Sequence, residues 1–399
     1  MQSVLLFGSL IGAMGLSFIG SILTSKILGP GHYGDMKFIQ TIWMLLTLIC
    51  TFGLFQSGSR ILLFETNESS SKKIIGVILF LASIMGISIG LITVIIAYPI
   101  DIFFHTQVAD IILILAPLII GMPLRDALYL ILQSTNQIFL LSGLSIFPPL
   151  FFLVGVYVMS RFMVLNAGII LAIQQITLLV VVLVVIIIIR PRFGSIRSLL
   201  IKIKEENKRF GFLIYTGSLA NAATSYMNSL AISYWVDNTA IGFFSLASTL
   251  TEPLKLIPNA AATSSYKSFI NQKKVSKKLL LVTFIASLGS FLAAWWFYGK
   301  PLSWFYTSGF STVGSMARFI ALGAIAFGFG DVFNRFLGAH GLGEKIRNVA
   351  YINGIVNSIG FLFLTPLIGV NGAVITSILG SFTYLVFMFL SYKRYITTL

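Results

Sequence analysis

Seven ionisable residues sit inside stretches otherwise apolar enough to cross a bilayer: Arg60, Arg125, Asp126, Glu252, Lys255, Asp331 and Arg335. A charge at the centre of a membrane helix costs about 2.5 to 3.5 kcal/mol on insertion scales, so such residues mark a wet pathway or a buried pair. Asp331 and Arg335 are four apart and Glu252 and Lys255 three apart, so each pair can neutralise itself on one helix face. These pairs are either structural or, in a cavity, ion-coupling groups. Arg125 and Asp126 are adjacent, point in different directions around a helix and need partners elsewhere. Arg60 has no carboxylate within one helical turn, Glu65 being the nearest at five residues. It either snorkels to the membrane surface or faces a hydrated cavity, where a guanidinium can hold an anionic head group through two parallel bonds.

A second polar feature runs along one predicted helix. Asn221, Thr224, Ser225 and Asn228 recur at spacings of three and four in an otherwise apolar segment. The stripe serves either helix packing or the lining of a wet cavity. Gly8, Gly12, Gly15 and Gly20 form a stripe of small residues in the first segment, with Ser17 at the position corresponding to Ser225. Pro117, Pro123, Pro253 and Pro258 predict kinks beside the charged positions.

Other motifs carry no chemistry. Gly29, Gly31 and Gly34 satisfy a dinucleotide-binding spacing, but that motif requires a strand and a helix in a βαβ unit, and here it joins two apolar helices. The glycines with Pro30 make a tight helix-to-helix turn. His32, His105 and His340 are far apart in the chain with no Cys, Asp or Glu at ligand spacing, which argues against a metal site. Cys50, the single cysteine, lies in an apolar run as a small lipid-facing or packed residue, so no disulfide framework exists. Neither a nucleophile elbow nor a phosphate-binding loop is present, and no cofactor is implied.

The elements that position these residues are membrane helices. Charged residues make up 10% of the chain and hydrophobic ones 57%, too little polar surface to cover a water-soluble fold. A bilayer core about 30 Å thick takes roughly 20 apolar residues per helix. Spans are predicted over 2–24, 38–59, 74–98, 109–132, 138–159, 165–189, 211–234, 240–262, 279–299, 316–337, 347–367 and 370–392. The first run is too long for a signal peptide and reads as a retained span.

The net charge of +15 lies mainly in short connecting loops without aromatic interleaving, which excludes a nucleic-acid surface. Loops after even-numbered spans and the C-terminal tail hold eighteen Lys and Arg, against five (Lys26, Lys37, Arg161, Lys300 and Arg318) on the opposite side. This asymmetry predicts a multi-pass protein of the cytoplasmic membrane with both termini in the cytoplasm.

Seven of those cations fall in RPRFGSIRSLLIKIKEENKR, near the middle of the chain. It separates two copies of one unit. Shifting by 205 to 208 positions aligns Gly34 with Gly242, Asp126 with Asp331, and LNAGIILA with VNGAVITS. Because each copy has six spans, the repeat is parallel, with an axis along the membrane normal. The expected fold is all-α and polytopic, about twelve transmembrane helices in two pseudo-symmetric six-helix lobes. Residues 1–189 form the N-terminal lobe, 190–210 a basic cytoplasmic linker and 211–399 the C-terminal lobe.

The stretches ILGPGHYGD, GLFQSGSR and LGAHGLGEKIRNVAYINGIVNSIGFLFLTPLIGVNGAVITS resemble the polysaccharide-transporter, or Wzx-type O-antigen, flippases, in the superfamily of MATE drug exporters and lipid II flippases. The resemblance covers essentially the whole chain. It implies a MATE-like, V-shaped pair of bundles around a central hydrated cavity lined by the first two helices of each lobe. It also implies translocation of an undecaprenyl-pyrophosphate-linked oligosaccharide, with membrane lipids, polymerases and glycosyltransferases of that pathway as partners. On these positions Arg60 matches the family's basic residue at the end of the second span, and Asn221, Ser225 and Asn228 supply polar lining. Arg60 and Lys255 would attract the diphosphate at entry. The short basic leader usual before the first span is missing.

A MATE-like cation antiporter is the second reading; it needs Asp126, Asp331 or Glu252 facing water without a basic partner. A polymerase or ligase, the third, needs a large outward loop with catalytic residues, and every outward loop is short.

Overall fold

The computed structural model describes the backbone of residues 2–299 and 310–397, and within these the side chains of 8–219, 226–266, 268–299 and 310–397. Every regular element among them is a helix: α1 (Gln2–Cys50), α2 (Leu54–Leu63), α3 (Glu68–Phe104), α4 (Ala109–Leu115), α5 (Gly121–Ser134), α6 (Ile138–Met159), α7 (Ala167–Ile189), α8 (Ile196–Glu206), α9 (Phe212–Trp235), α10 (Asn238–Phe269), α11 (Lys277–Phe297), α12 (Ser311–Ala339), α13 (Gly343–Ile368) and α14 (Val370–Thr397). A 3₁₀ turn over Ala116–Ile120 joins α4 to α5, and a π turn over Asn207–Gly211 joins α8 to α9. Among the described residues nine helices are long and apolar enough to cross a membrane. The chain is a multi-pass membrane protein. α10 falls outside that set because Glu252, Lys255, two prolines and several Ser, Thr and Asn dilute its apolar residues.

Contacts divide the chain into two units. Met1–Leu28 and Phe38–Leu219 form the first; Gly29–Lys37 and Ala220–Leu399 form the second.

In the first unit α3 is the buried centre. Ile74, Val77, Ile78 and Ile89 are nearly or fully inaccessible. Gly86 lets the 3₁₀ turn approach, since a Cβ there would stand 2.8 Å from the Ile120 Cα. Pro117 is the second residue of that turn, where a missing N–H and a rigid ring suit a departure from α-helical bonding. Asp101, near the end of α3, accepts from the backbone N–H groups of Val108 and Ala109 and from Thr106 Oγ1, capping α4. Asn67 and Asn166 are themselves the N-cap residues of α3 and α7, accepting from first-turn N–H groups.

Two places in the first 63 residues depart from straight helix. At Gly29 (φ 70°, ψ 175°) two helices meet at a kink within α1, where the sequence predicts a turn. The second departure is not predicted by hydropathy. The expected span over 38–59 breaks after Cys50, where Phe52 and Gly53 take left-handed φ values of 46° and 76°, and resumes as α2. Gly53 is required there: a Cβ would overlap the carbonyl of Gly211.

In the second unit α10, α12 and α14 pack around Ala262, Phe269, Phe333, Phe336, Met388 and Tyr392. Pro258 lies within α10, and a Cβ at Gly328 on α12 would meet its ring at 2.8 Å. Segment 29–37 crosses the start of α10 closely. A Cβ at Gly34 would overlap the Asn238 carbonyl, and one at Gly242 would lie 2.9 Å from the Pro30 oxygen and 3.1 Å from the Gly34 nitrogen. The two glycines aligned by the internal repeat therefore touch. Asn238 Nδ2 donates to Asp35 Oδ1 (2.8 Å) and Asn238 Oδ1 accepts from Ser233 Oγ (2.7 Å).

Ile95, Ile102, Ile114, Phe139, Ile187 and Leu367 are among the large apolar side chains left open on both units, as lipid-facing surface demands.

Candidate functional site

Arg60 occupies the last turn of α2. Its guanidinium lies over the Phe210 ring, 4.0 Å from the centroid, and Nη1 meets Glu206 Oε1 at 3.1 Å. The sequence gives this arginine no carboxylate within a turn; the partner comes instead from the last residue of α8, in the basic linker. The correction has a simple cause. α8 is amphipathic, and its apolar face, with Ile203 fully covered, packs on α2 and α3, which carries Glu206 and Phe210 onto the second span.

The same junction closes the break after Cys50. Asn207 Nδ2 donates to the Phe52 carbonyl (3.1 Å), Asn207 Oδ1 accepts from Ser57 Oγ (2.9 Å), and Tyr215 Oη donates to the Ile49 carbonyl (2.7 Å). An interrupted membrane helix leaves carbonyls without helical donors, and here side chains of the linker and α9 supply them. Arg60 thus sits about two turns beyond a braced break, stacked on an aromatic ring and still 41% exposed at its side chain.

Arg125 and Asp126 correct a second expectation. The adjacent residues pair with each other, Nε and Nη2 both donating to Asp126 Oδ1 at 3.1 and 2.8 Å. The Cβ vectors do diverge, but the arginine stem is long enough to bend the guanidinium back to its neighbour.

In the second unit the two predicted pairs form. Lys255 Nζ meets Glu252 Oε1 at 2.5 Å and Arg335 Nε meets Asp331 Oδ2 at 3.1 Å. The second pair is embedded further than spacing suggests. Arg335 Nη2 donates to Asn259 Oδ1 (2.8 Å), and Asn334 Nδ2 donates to Asp331 Oδ1 (3.3 Å) and Tyr384 Oη (2.8 Å). Tyr384 stacks on Phe327, whose ring lies 5.6 Å from Lys255 Nζ. Side chains from α10, α12 and α14 therefore join both ion pairs in one network. Asn259, Asn334 and Tyr384 escape sequence reasoning because uncharged polar residues carry no insertion penalty large enough to stand out. Asn259 has a visible signal, lying one turn beyond Lys255.

Of the polar stripe on α9, the side chains of Asn221 and Ser225 lie outside the described residues. Asn228 is 6% exposed, and its Oδ1 has no hydrogen-bond partner among the described residues. A buried amide oxygen of this kind costs on the order of 1 to 3 kcal/mol unless water or a ligand serves it. Arg60, Arg125 and Asp126 belong to the first unit, and Asn228, Glu252, Lys255, Asp331 and Arg335 to the second. Among the described residues no group of three His, Cys, Asp or Glu side chains is placed to hold a metal ion.

The sequence and the fold both have known relatives. Residues 2–266 match the family model described as "Polysaccharide biosynthesis protein". No curated protein matches the sequence. Among solved structures, "Lipid II flippase MurJ, inward closed conformation" superposes with a TM-score of 0.77 at 15% identity, over 99% of this chain and 89% of that one. An inward-facing multidrug resistance MATE family transporter of the MOP superfamily gives 0.73 at 15% identity over 97% and 94%. A eukaryotic MATE transporter gives 0.62 at 14% over 100% and 96%. These relatives in fold are transporters. The chain belongs to the polysaccharide biosynthesis protein family and has the helical fold of MOP-superfamily transporters.

Proposed function

We propose that this protein is a flippase of the cytoplasmic membrane, with both termini in the cytoplasm, that moves an undecaprenyl-pyrophosphate-linked oligosaccharide to the outer leaflet for cell-surface polysaccharide synthesis. The observation that carries the reading is how charge is disposed. Asp126, Glu252 and Asp331, the carboxylates a cation exporter would use, each have a basic partner within 3.1 Å. Arg60 is paired too, with Glu206 at 3.1 Å, but its partner comes from the linker helix and its half-open guanidinium lies on an aromatic base. Such a group suits a diphosphate, which accepts two parallel hydrogen bonds from one guanidinium. Lys255 is the second candidate cation, and Asn228 with the predicted Asn221 and Ser225 suits the glycan hydroxyls. The lipid tail can stay in the bilayer throughout.

The test is a deletion strain. Its lipid extract should accumulate undecaprenyl-linked oligosaccharide while surface polysaccharide disappears, both restored by the wild-type gene. Normal polysaccharide with altered sensitivity to cationic drugs would replace this reading by the antiporter one.

A further inference from the structure

We infer that Glu206 is a built-in counter-ion that occupies Arg60 until an anionic ligand displaces it, so that the linker helix competes with substrate for the same guanidinium. The inference rests on the flippase reading of Arg60. Four observations carry it.

The first is the character of the contact. Arg60 Nη1 meets Glu206 Oε1 at 3.1 Å as an ion pair, whereas a phosphate group offers two hydrogen-bonding oxygens to one guanidinium edge. The incoming ligand therefore adds hydrogen bonds to the charge pairing it replaces. The second is access. The Arg60 and Glu206 side chains are 41% and 24% exposed, so exchange requires no unpacking of the core.

The third is a destination for the displaced carboxylate. Lys202 stands one turn before Glu206 on α8 and is exposed, the spacing at which a lysine and a glutamate meet on a helix surface. The fourth is independence of the surrounding frame. The Asn207 bonds to Phe52 and Ser57 and the Tyr215 bond from α9 to Ile49 hold the end of the linker against the broken span without any contribution from Glu206. Loss of the ion pair therefore frees the arginine and leaves its platform standing. Glu206 lies where the α-helix gives way to the π turn, a register change that recurs where side chains are re-aimed at functional sites.

The test is equilibrium binding of undecaprenyl diphosphate to the purified full-length protein in phosphatidylcholine nanodiscs, repeated with inorganic diphosphate. Glu206→Gln should bind the lipid about three- to fivefold more tightly than wild type, the scale of one partly exposed ion pair. Glu205→Gln, which makes the same change in net charge one residue away, should bind as wild type does. Arg60→Gln should lose binding with or without Glu206→Gln. A parallel gain for inorganic diphosphate would assign the competition to the head group alone; a gain restricted to the lipid would add the chain to what is recognised. Both support the counter-ion role. Unchanged or weaker binding by Glu206→Gln, or an equal gain from Glu205→Gln, overturns the inference while leaving the flippase reading intact. Failure of both wild type and Glu206→Gln to bind either probe would remove the flippase reading and the inference together.

Discussion

Each unit carries an arginine at membrane depth, and the two are partnered in different ways. In the second, Asp331 and Arg335 are neighbours on one helix and are locked by Asn259, Asn334 and Tyr384 into a network spanning three helices. In the first, Arg60 takes its counter-ion from the linker helix, far along the chain, with its guanidinium over the Phe210 ring. A pair tied to several helices contributes to packing; a cation with a replaceable partner is available for work. How a charge is partnered is thus a better guide to a site than its presence.

This contrast can be broken in order of expected effect. Arg60→Gln should reduce surface polysaccharide by about tenfold or more at normal protein levels, since a stacked, bidentate-capable guanidinium has no neutral substitute. Transport that survives the change would place the working cation elsewhere. Asp331→Ala should cost stability first and transport only as a consequence. It leaves Arg335 without its carboxylate, at about 2 to 4 kcal/mol, visible as a lower melting temperature in detergent. Asp331→Leu combined with Arg335→Leu should recover much of that loss, because an absent pair is cheaper than half of one. Full stability in Asp331→Ala with abolished transport would make the network a coupling site instead.

Gly242→Ala should cost about 1 to 3 kcal/mol by forcing α10 away from segment 29–37. Unaltered melting would show that this crossing is looser than its distances imply. The smallest effect is expected from Glu252→Gln, because the pair with Lys255 is about one-third to one-half exposed and such pairs contribute about 1 kcal/mol or less. Complete loss of transport in that variant would favour the antiporter.

Much of this arrangement is legible from residue order alone. Long apolar runs locate the helices, since bilayer thickness dictates length and composition together. The Asp331 and Glu252 pairs follow from helical periodicity, and the contact of Gly34 with Gly242 gives physical form to an alignment of repeats. What escapes is of two kinds. The break at Phe52 and Gly53 has the hydropathy of an unbroken span, and the side chains that serve its carbonyls, Asn207 and Tyr215, come from the linker and the helix after it. The pairing of Arg60 with Glu206 is likewise non-local. Two glutamates inside a run of cations are its only trace, easily read as mere dilution of charge. Arg125 illustrates the other kind, where local geometry is known but side-chain length decides the outcome.

The position of the single thiol has a practical consequence. Cys50 closes α1 immediately before the broken turn and is half-buried, a burial that leaves it reachable by small membrane-permeant reagents. This sequence therefore carries its one label site at the joint that Asn207 and Tyr215 brace. Alkylation rates or a spin label at Cys50 would test whether that joint moves when substrate is added, with no second thiol in these 399 residues to remove first.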